Sequence, residues 1–250
     1  MMLTRAVVPT LFTVLNMFCG FISIVHSSEG KFVEASYLIL LAGVFDSLDG
    51  FMARLTKSSS EFGVEIDSLS DVVSFGAAPA FLVYKLHLFQ MDAWGIIISS
   101  LLMILGGIRL ARFNVQLVGF DKDYFSGLPI PASAFTIVSY VLTFIIDGSR
   151  LEGTAAAFLP FLVVAISFIM VSTIKYDTMP KISRKEFKKH PFRLISYFFG
   201  FLIAIFTKGG AIFYLIVAFV FYGILRHIVA LFRHHDRTEA ELDEAPNYDI

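Results

Sequence analysis

Four aspartates stand in two pairs at helical spacing: Asp46 and Asp49 within FDSLDGFMAR, and Asp67 and Asp71 within GVEIDSLSD. Residues three or four apart share one face of a helix, so each pair aims its carboxylates the same way. Both pairs lie at the edge of strongly apolar runs, where burying an aspartate costs about 2.5–3.5 kcal/mol on insertion scales. Repulsion among four neighbouring anions adds to that cost, and a divalent cation, or two, offsets both. An all-carboxylate oxygen set suits a hard ion, Mg²⁺ or Mn²⁺, rather than zinc. The competing reading is four helix-end residues that cap or are solvated, and pairing at helical spacing with small residues between argues against it. Gly50 follows Asp46 by four residues and Gly63 precedes Asp67 by four. Lacking side chains, both leave room for a bulky ligand, although close helix packing uses small residues in the same way.

The elements that must position these carboxylates are membrane helices. The chain has 250 residues, 56% hydrophobic, with 28 phenylalanines, more apolar surface than a soluble domain of this length can bury. About 20 apolar residues cross a bilayer core as a helix. Eight segments meet that requirement, at about 6–26, 33–54, 64–88, 93–113, 131–147, 154–173, 192–207 and 210–232. The first carries Pro9 and Asn16 and is followed by further spans, so it reads as a membrane helix rather than a cleaved signal. The expected fold is therefore an all-α integral membrane bundle: one transmembrane catalytic domain over 1–232, with a core at about 6–173 and an added helical hairpin at about 192–232. The polar stretch 233–250 reads as a disordered tail. Cys19 is the single cysteine, which excludes an intrachain disulfide and a thiolate zinc site. The net charge of −1 supplies no basic field for nucleic acid.

Basic residues set the orientation. With eight spans, all Lys and Arg except Lys31, Lys85, Arg150 and Lys208 fall on the side that holds both termini. By the positive-inside rule that side is cytoplasmic, and the aspartates lie towards it. The basic run from Lys181 to Arg193 reads as a topogenic loop attracted to anionic headgroups.

The motif D-x-x-D-G-x-x-A-R-x8-G-x3-D-x3-D, made by Asp46, Asp49, Gly50, Ala53, Arg54, Gly63, Asp67 and Asp71, resembles the signature of the CDP-alcohol phosphotransferases. Within that family the chain looks most like the membrane-integral (type I) phosphatidylserine synthases. The likeness rests on PTLFTVLNMFCGF (Pro9–Phe21), DVVSFGAAP (Asp71–Pro79), and RLARFN (Arg109–Asn114) followed by SGLPIPA (Ser126–Ala132). The number of spans fits as well. One departure is Thr10, where many relatives have asparagine.

The resemblance implies metal-dependent transfer of a phosphatidyl group from CDP-diacylglycerol to L-serine, at a site facing the cytoplasm of an inner-membrane homodimer. It implies that Asp46, Asp49, Asp67 and Asp71 hold the metal and that Asp71 takes the proton of the acceptor hydroxyl. Thr13, Asn16, Asp49, Gly50, Ala53, Arg54 and Gly63 would form the CDP-lipid site. Arg109 and Arg112, one turn apart with Asn114 nearby, would meet the serine carboxylate or the lipid phosphate, since a guanidinium matches either bidentately. Snorkelling to the headgroups is the alternative for that pair. A different acceptor, glycerol 3-phosphate or an inositol compound, keeps the same site. A divalent-cation transporter is the reading from another class, because intramembrane aspartates also mark ion paths.

Overall fold

A computed structural model describes residues 3–56, 60–117, 124–177 and 212–226. Within them the chain forms seven longer helices, α1 (Leu3–Ser28), α2 (Phe32–Thr56), α3 (Glu61–Leu86), α4 (Asp92–Leu117), α5 (Ile130–Phe144), α6 (Gly153–Val171) and α7 (Ile212–Arg226), with a short 3-10 turn, Leu88–Met91, leading into α4. The first six coincide with the first six apolar segments of the sequence. The segment 192–207, the basic run and the tail lie outside the described residues, and α7 is the described part of the segment 210–232.

Helices α1, α3, α4 and α6 are long and apolar enough to cross a membrane, and α5 and α7 are shorter apolar helices. Helix α2, at 25 residues, has the length, but Glu34, Asp46, Asp49 and Arg54 interrupt its apolar character. The chain is thus an integral membrane protein by the length and composition of its helices. Two three-residue strands are added to this helical architecture, β1 (Tyr124–Ser126) after α4 and β2 (Lys175–Asp177) after α6. They pair antiparallel, Tyr124 opposite Asp177 and Ser126 opposite Lys175. Hydropathy does not register such a ribbon, because it forms between two loops rather than within an apolar run.

Helix α1 packs along α2 and also against α3, and so joins the two aspartate-bearing helices. The α1–α2 turn closes at Gly30, whose φ of +78° is a left-handed conformation that glycine adopts without strain. Lys31 and Glu29 pair there at 2.7 Å, and Ser23 ties the helices by donating to the Ala35 carbonyl. Against α3 the approach is closer still. A methyl group on Gly20 would lie 2.7 Å from the Cα of Ser74, so only glycine lets these backbones come together.

Helix α3 starts at Ser60, an N-cap with extended backbone whose hydroxyl accepts from the Gly63 amide at 3.0 Å. Immediately after Asp71 the ladder widens into a π-helical turn, Val72–Ala77, before α-helix resumes at Ala78. Pro79 follows at once and has no N–H to return to the carbonyl four residues back, which favours a break in the regular ladder at this point.

At the other side of the bundle α5, α6 and α7 meet through aromatic rings. Tyr140 packs on Phe144 and Phe213 at centroid separations of 4.8 and 5.1 Å, and its hydroxyl donates to the Ala155 carbonyl at 2.6 Å.

Candidate active site

Three of the four aspartates converge. One carboxylate oxygen each from Asp46, Asp49 and Asp67 lies within 4.8 Å of the other two, a spacing that a single ion can bridge. The helical offsets explain this: Asp46 and Asp49 share a face of α2, and Asp67 projects from the first part of α3 towards them. Asp71 lies one turn further along α3, buried to 7% exposure and within electrostatic reach of the other three.

The residues present fit a divalent cation. The donor set is entirely carboxylate, the chemistry preferred by Mg²⁺ and Mn²⁺. Oδ1 of Asp67 is also buried with no hydrogen-bond partner among the described residues. A buried carboxylate oxygen left without a donor is costly unless a cation supplies the charge.

Helix α1 braces the carboxylates. The Thr13 hydroxyl donates to Asp49 Oδ2 at 3.0 Å, and Asn16 Nδ2 donates to Asp71 Oδ1 at 3.3 Å. In return two buried serines of α3 donate to the α1 backbone, Ser70 to the Thr13 carbonyl at 3.0 Å and Ser74 to the Asn16 carbonyl at 2.8 Å. Reading the sequence did not single out Ser70 and Ser74. Their signal is present nonetheless: two serines four apart, flanking Asp71, on the side of α3 that meets α1.

A cleft of about 130 Å³ opens beside the triad, lined by Pro9, Thr10 and Thr13 of α1, Asp49, Gly50 and Ala53 of α2, and Ser60, Gly63, Val64 and Asp67 at the start of α3. Every sequence-level candidate for the CDP-lipid site except Asn16 and Arg54 therefore borders one space. Arg54 stands beside it, its Nη1 3.7 Å from where a Gly50 side chain would begin. Asn16 is fully buried and faces Asp71 instead of the cleft.

The two arginines of α4 separate. Arg112 donates from Nη1 to the Val171 carbonyl at 2.8 Å and from Nη2 to the Ser172 carbonyl at 3.4 Å, capping the end of α6. Beside that cap the loop entering α5 is tied down by Gly127 N–H to the Ile174 carbonyl at 2.8 Å. Gly127 has a φ of +81°, and a side chain there would collide with the Met170 carbonyl. Arg109 is buried to 5% exposure, with Nε unpartnered among the described residues and with Asp71 within electrostatic reach. A buried guanidinium of this kind does not snorkel. Asn114 donates to Ser68 Oγ at 2.9 Å, linking α4 to α3 between the turns that carry Asp67 and Asp71.

Comparison with known proteins decides what this arrangement belongs to. Residues 6–169, which include every site residue discussed above, match the family described as CDP-alcohol phosphatidyltransferase. The chain belongs to that family. A relative from Helicobacter pylori strain J99, named CDP-diacylglycerol–serine O-phosphatidyltransferase, is 38% identical over 224 residues, covering 88% of this chain and 90% of its own. An archaetidylserine synthase from Methanothermobacter thermautotrophicus is 44% identical over 170 residues, 67% of this chain and 68% of its own. A CDP-diacylglycerol–serine O-phosphatidyltransferase from Methanocaldococcus jannaschii is 33% identical over 222 residues, 86% and 92% of the two chains. The matched region contains the carboxylate triad and the cleft beside it. The cation-transport alternative finds no support in these relatives, and the carboxylates gather at one end of the helices instead of lining a path through them.

Proposed function

We propose that this protein is a CDP-diacylglycerol–serine O-phosphatidyltransferase, converting CDP-diacylglycerol and L-serine into phosphatidylserine and CMP. The observation that carries the reading is the carboxylate triad bordering the cleft, within a chain that aligns over most of its length with relatives named for this reaction.

In this reading the CDP moiety occupies the cleft with its diphosphate towards Asp46, Asp49 and Asp67, where Gly50, Ala53 and Gly63 leave the space it needs. Asp46, Asp49 and Asp67 would hold Mg²⁺ or Mn²⁺, which would supply charge neutralisation of the diphosphate. Thr13 orients Asp49, and Arg54 beside the cleft contacts a phosphate oxygen. Asp71, one helical turn beyond Asp67, receives the proton of the serine hydroxyl as that oxygen attacks the phosphorus bearing the diacylglycerol. The bond from this phosphorus to the CMP oxygen breaks, and CMP leaves with the electron pair. A serine hydroxyl is a weak nucleophile at neutral pH, so proton removal must accompany attack, and a carboxylate at this position is suited to it. Arg109, a buried cation near Asp71, meets the serine carboxylate, a group that glycerol and inositol acceptors lack. Arg112 and Asn114 hold α4 against α6 and α3 and so keep Arg109 in place.

The reading keeps the eight spans counted from the apolar segments. The distribution of Lys and Arg supports placing both termini and the aspartate end on the cytoplasmic side of the inner membrane. The reading keeps one catalytic domain over 1–232 with a polar tail over 233–250, and a homodimer as in the family resemblance.

The test is CMP release by purified protein in detergent with CDP-diacylglycerol and Mn²⁺ or Mg²⁺, with and without L-serine. Serine-dependent release supports the proposal. Release that ignores serine but responds to glycerol 3-phosphate or an inositol compound keeps the site and overturns the acceptor. The archaetidylserine synthase among the relatives makes the ether-lipid donor CDP-archaeol the informative second substrate.

A further inference from the structure

Asn16 lies too deep to touch a ligand in the cleft. It is fully buried, it does not border the cleft, and its one side-chain hydrogen bond runs from Nδ2 to Asp71 Oδ1. Its other amide atom, Oδ1, is buried without a partner among the described residues. Half-satisfied buried amides are unfavourable, and folding alone would favour an apolar side chain of similar size at this position. The amide is nevertheless held in place with some care. Its own carbonyl accepts from Ser74, one turn back the Thr13 carbonyl accepts from Ser70, and Gly20 lets the α1 backbone close on Ser74 one turn further on. Two serines that bracket Asp71 in α3 thereby fix the α1 turn from which Asn16 reaches Asp71. The π-helical turn begins at the residue after Asp71.

We propose that Asn16 is a positioning residue for Asp71: its Nδ2–H holds one carboxylate oxygen so that the other is aimed at the acceptor hydroxyl. Ser70 and Ser74 act one step behind it, by fixing the α1 backbone. This inference rests on the reading of Asp71 as the group that receives the hydroxyl proton. It assigns Asn16 to the acceptor step and removes it from the nucleotide site.

The experiment is a double-mutant cycle on the full-length protein in detergent, with Asn16→Leu, Asn16→Ser, Asp71→Asn and the two Asn16/Asp71 double variants. Each is assayed for Mn²⁺-dependent CMP release at varied CDP-diacylglycerol and L-serine, for Mn²⁺-dependent CDP binding, and for Tm. A carboxylate misplaced by about 1 Å costs on the order of 100-fold in kcat. Both Asn16 variants should therefore lose kcat on that order, with KM for CDP-diacylglycerol and CDP affinity within about two-fold of the wild type. Asn16→Leu should keep or raise Tm, which separates positioning from a structural role. In the Asp71→Asn background the Asn16 substitutions should cause no further loss, because the group they orient is gone. A rise in KM for CDP-diacylglycerol with kcat intact, or losses that multiply in the double variants, would overturn the inference and return Asn16 to the nucleotide site. Should Asn16→Leu not yield folded protein, the Asn16→Ser cycle carries the same decision. If Asp71→Asn alone keeps wild-type activity, the reading of Asp71 itself fails, an outcome distinct from Asn16 variants that stay active while Asp71→Asn is dead.

Discussion

The aspartate end of the bundle and the contact among α5, α6 and α7 are both buried helix junctions, yet they are held in opposite ways. At the aspartate end the helices are cross-linked by directional bonds: Thr13 to Asp49, Asn16 to Asp71, Ser70 and Ser74 to the α1 backbone, and Asn114 to Ser68. Several buried atoms there have no hydrogen-bond partner among the described residues, namely Asp67 Oδ1, Asn16 Oδ1 and Arg109 Nε. Where α5, α6 and α7 meet, rings of Tyr140, Phe144, Phe158 and Phe213 pack on one another, and the buried Tyr140 hydroxyl has its carbonyl. A bilayer supplies no hydrophobic drive between helices, so either kind of junction relies on packing and hydrogen bonds. The difference lies in what is left over. The aromatic junction satisfies its groups internally, whereas the polar one leaves charges and lone pairs without a partner among the described residues.

Mutations should separate the two regions by their readout. The largest effect is expected from Asp71→Asn, which should lower kcat for serine-dependent CMP release by about 100- to 10,000-fold, the range for loss of a general base. CDP binding should survive that change, and calorimetric titration checks it. Removing divalent metal with EDTA should abolish turnover in the wild type, and Mg²⁺ or Mn²⁺ should restore it. Asp67→Ala should need a higher metal concentration for half-maximal rate, since it removes one of three converging ligands.

Thr13→Val tests a single brace. An interhelical hydrogen bond in a membrane protein averages about 0.6 kcal/mol, so activity should fall by less than about ten-fold with Tm hardly changed. Phe213→Ala tests the other junction and should do the reverse. Each aromatic pair lost removes about 0.5–1.5 kcal/mol, lowering Tm while leaving kcat of the folded protein unchanged. The smallest response belongs to the exposed Glu29–Lys31 pair. Lys31 holds the Glu29 carboxyl below its usual range, and Glu29 in turn raises Lys31. The carboxylate's contribution is therefore present above the ordinary Glu range and fades only as pH falls through its lowered value. Lowering pH from neutral to 5 should leave the pair intact, and Glu29→Gln should change neither Tm nor activity measurably.

How much of this was legible in the sequence depends on the kind of signal. Apolar runs fix helices by length, which is why α1 to α6 fall where hydropathy puts them. The aspartate pairs are local helical periodicity, and a short α2–α3 connection suffices to bring Asp46, Asp49 and Asp67 together. Contacts between distant turns leave weaker marks. Ser70 and Ser74 look like ordinary small residues until α1 is laid against them, and nothing in RLARFN distinguishes Arg109 from Arg112. The distinction is tertiary: the end of α6 comes up beside Arg112 and offers it carbonyls, while Arg109 is enclosed near Asp71. The β1–β2 ribbon is invisible for the same reason, since neither three-residue strand carries a pattern of its own.

The widened turn at Val72–Ala77 also changes what a mutation in α3 would mean. Each residue of a regular α-helix turns the chain by about 100°, and a π-helical turn accommodates a residue beyond that count. Deleting one residue between 72 and 77 would barely alter the hydropathy or length of the span. It would nevertheless swing the outer half of α3 by about 100° relative to the carboxylates, taking Phe75 and Gly76 off the neighbours they now face. Two chains that look interchangeable on a hydropathy plot would then differ in which surface they show to α4 and α5. The spacing from Asp71 to Pro79 is therefore a phase setting, and insertions or deletions should be poorly tolerated there.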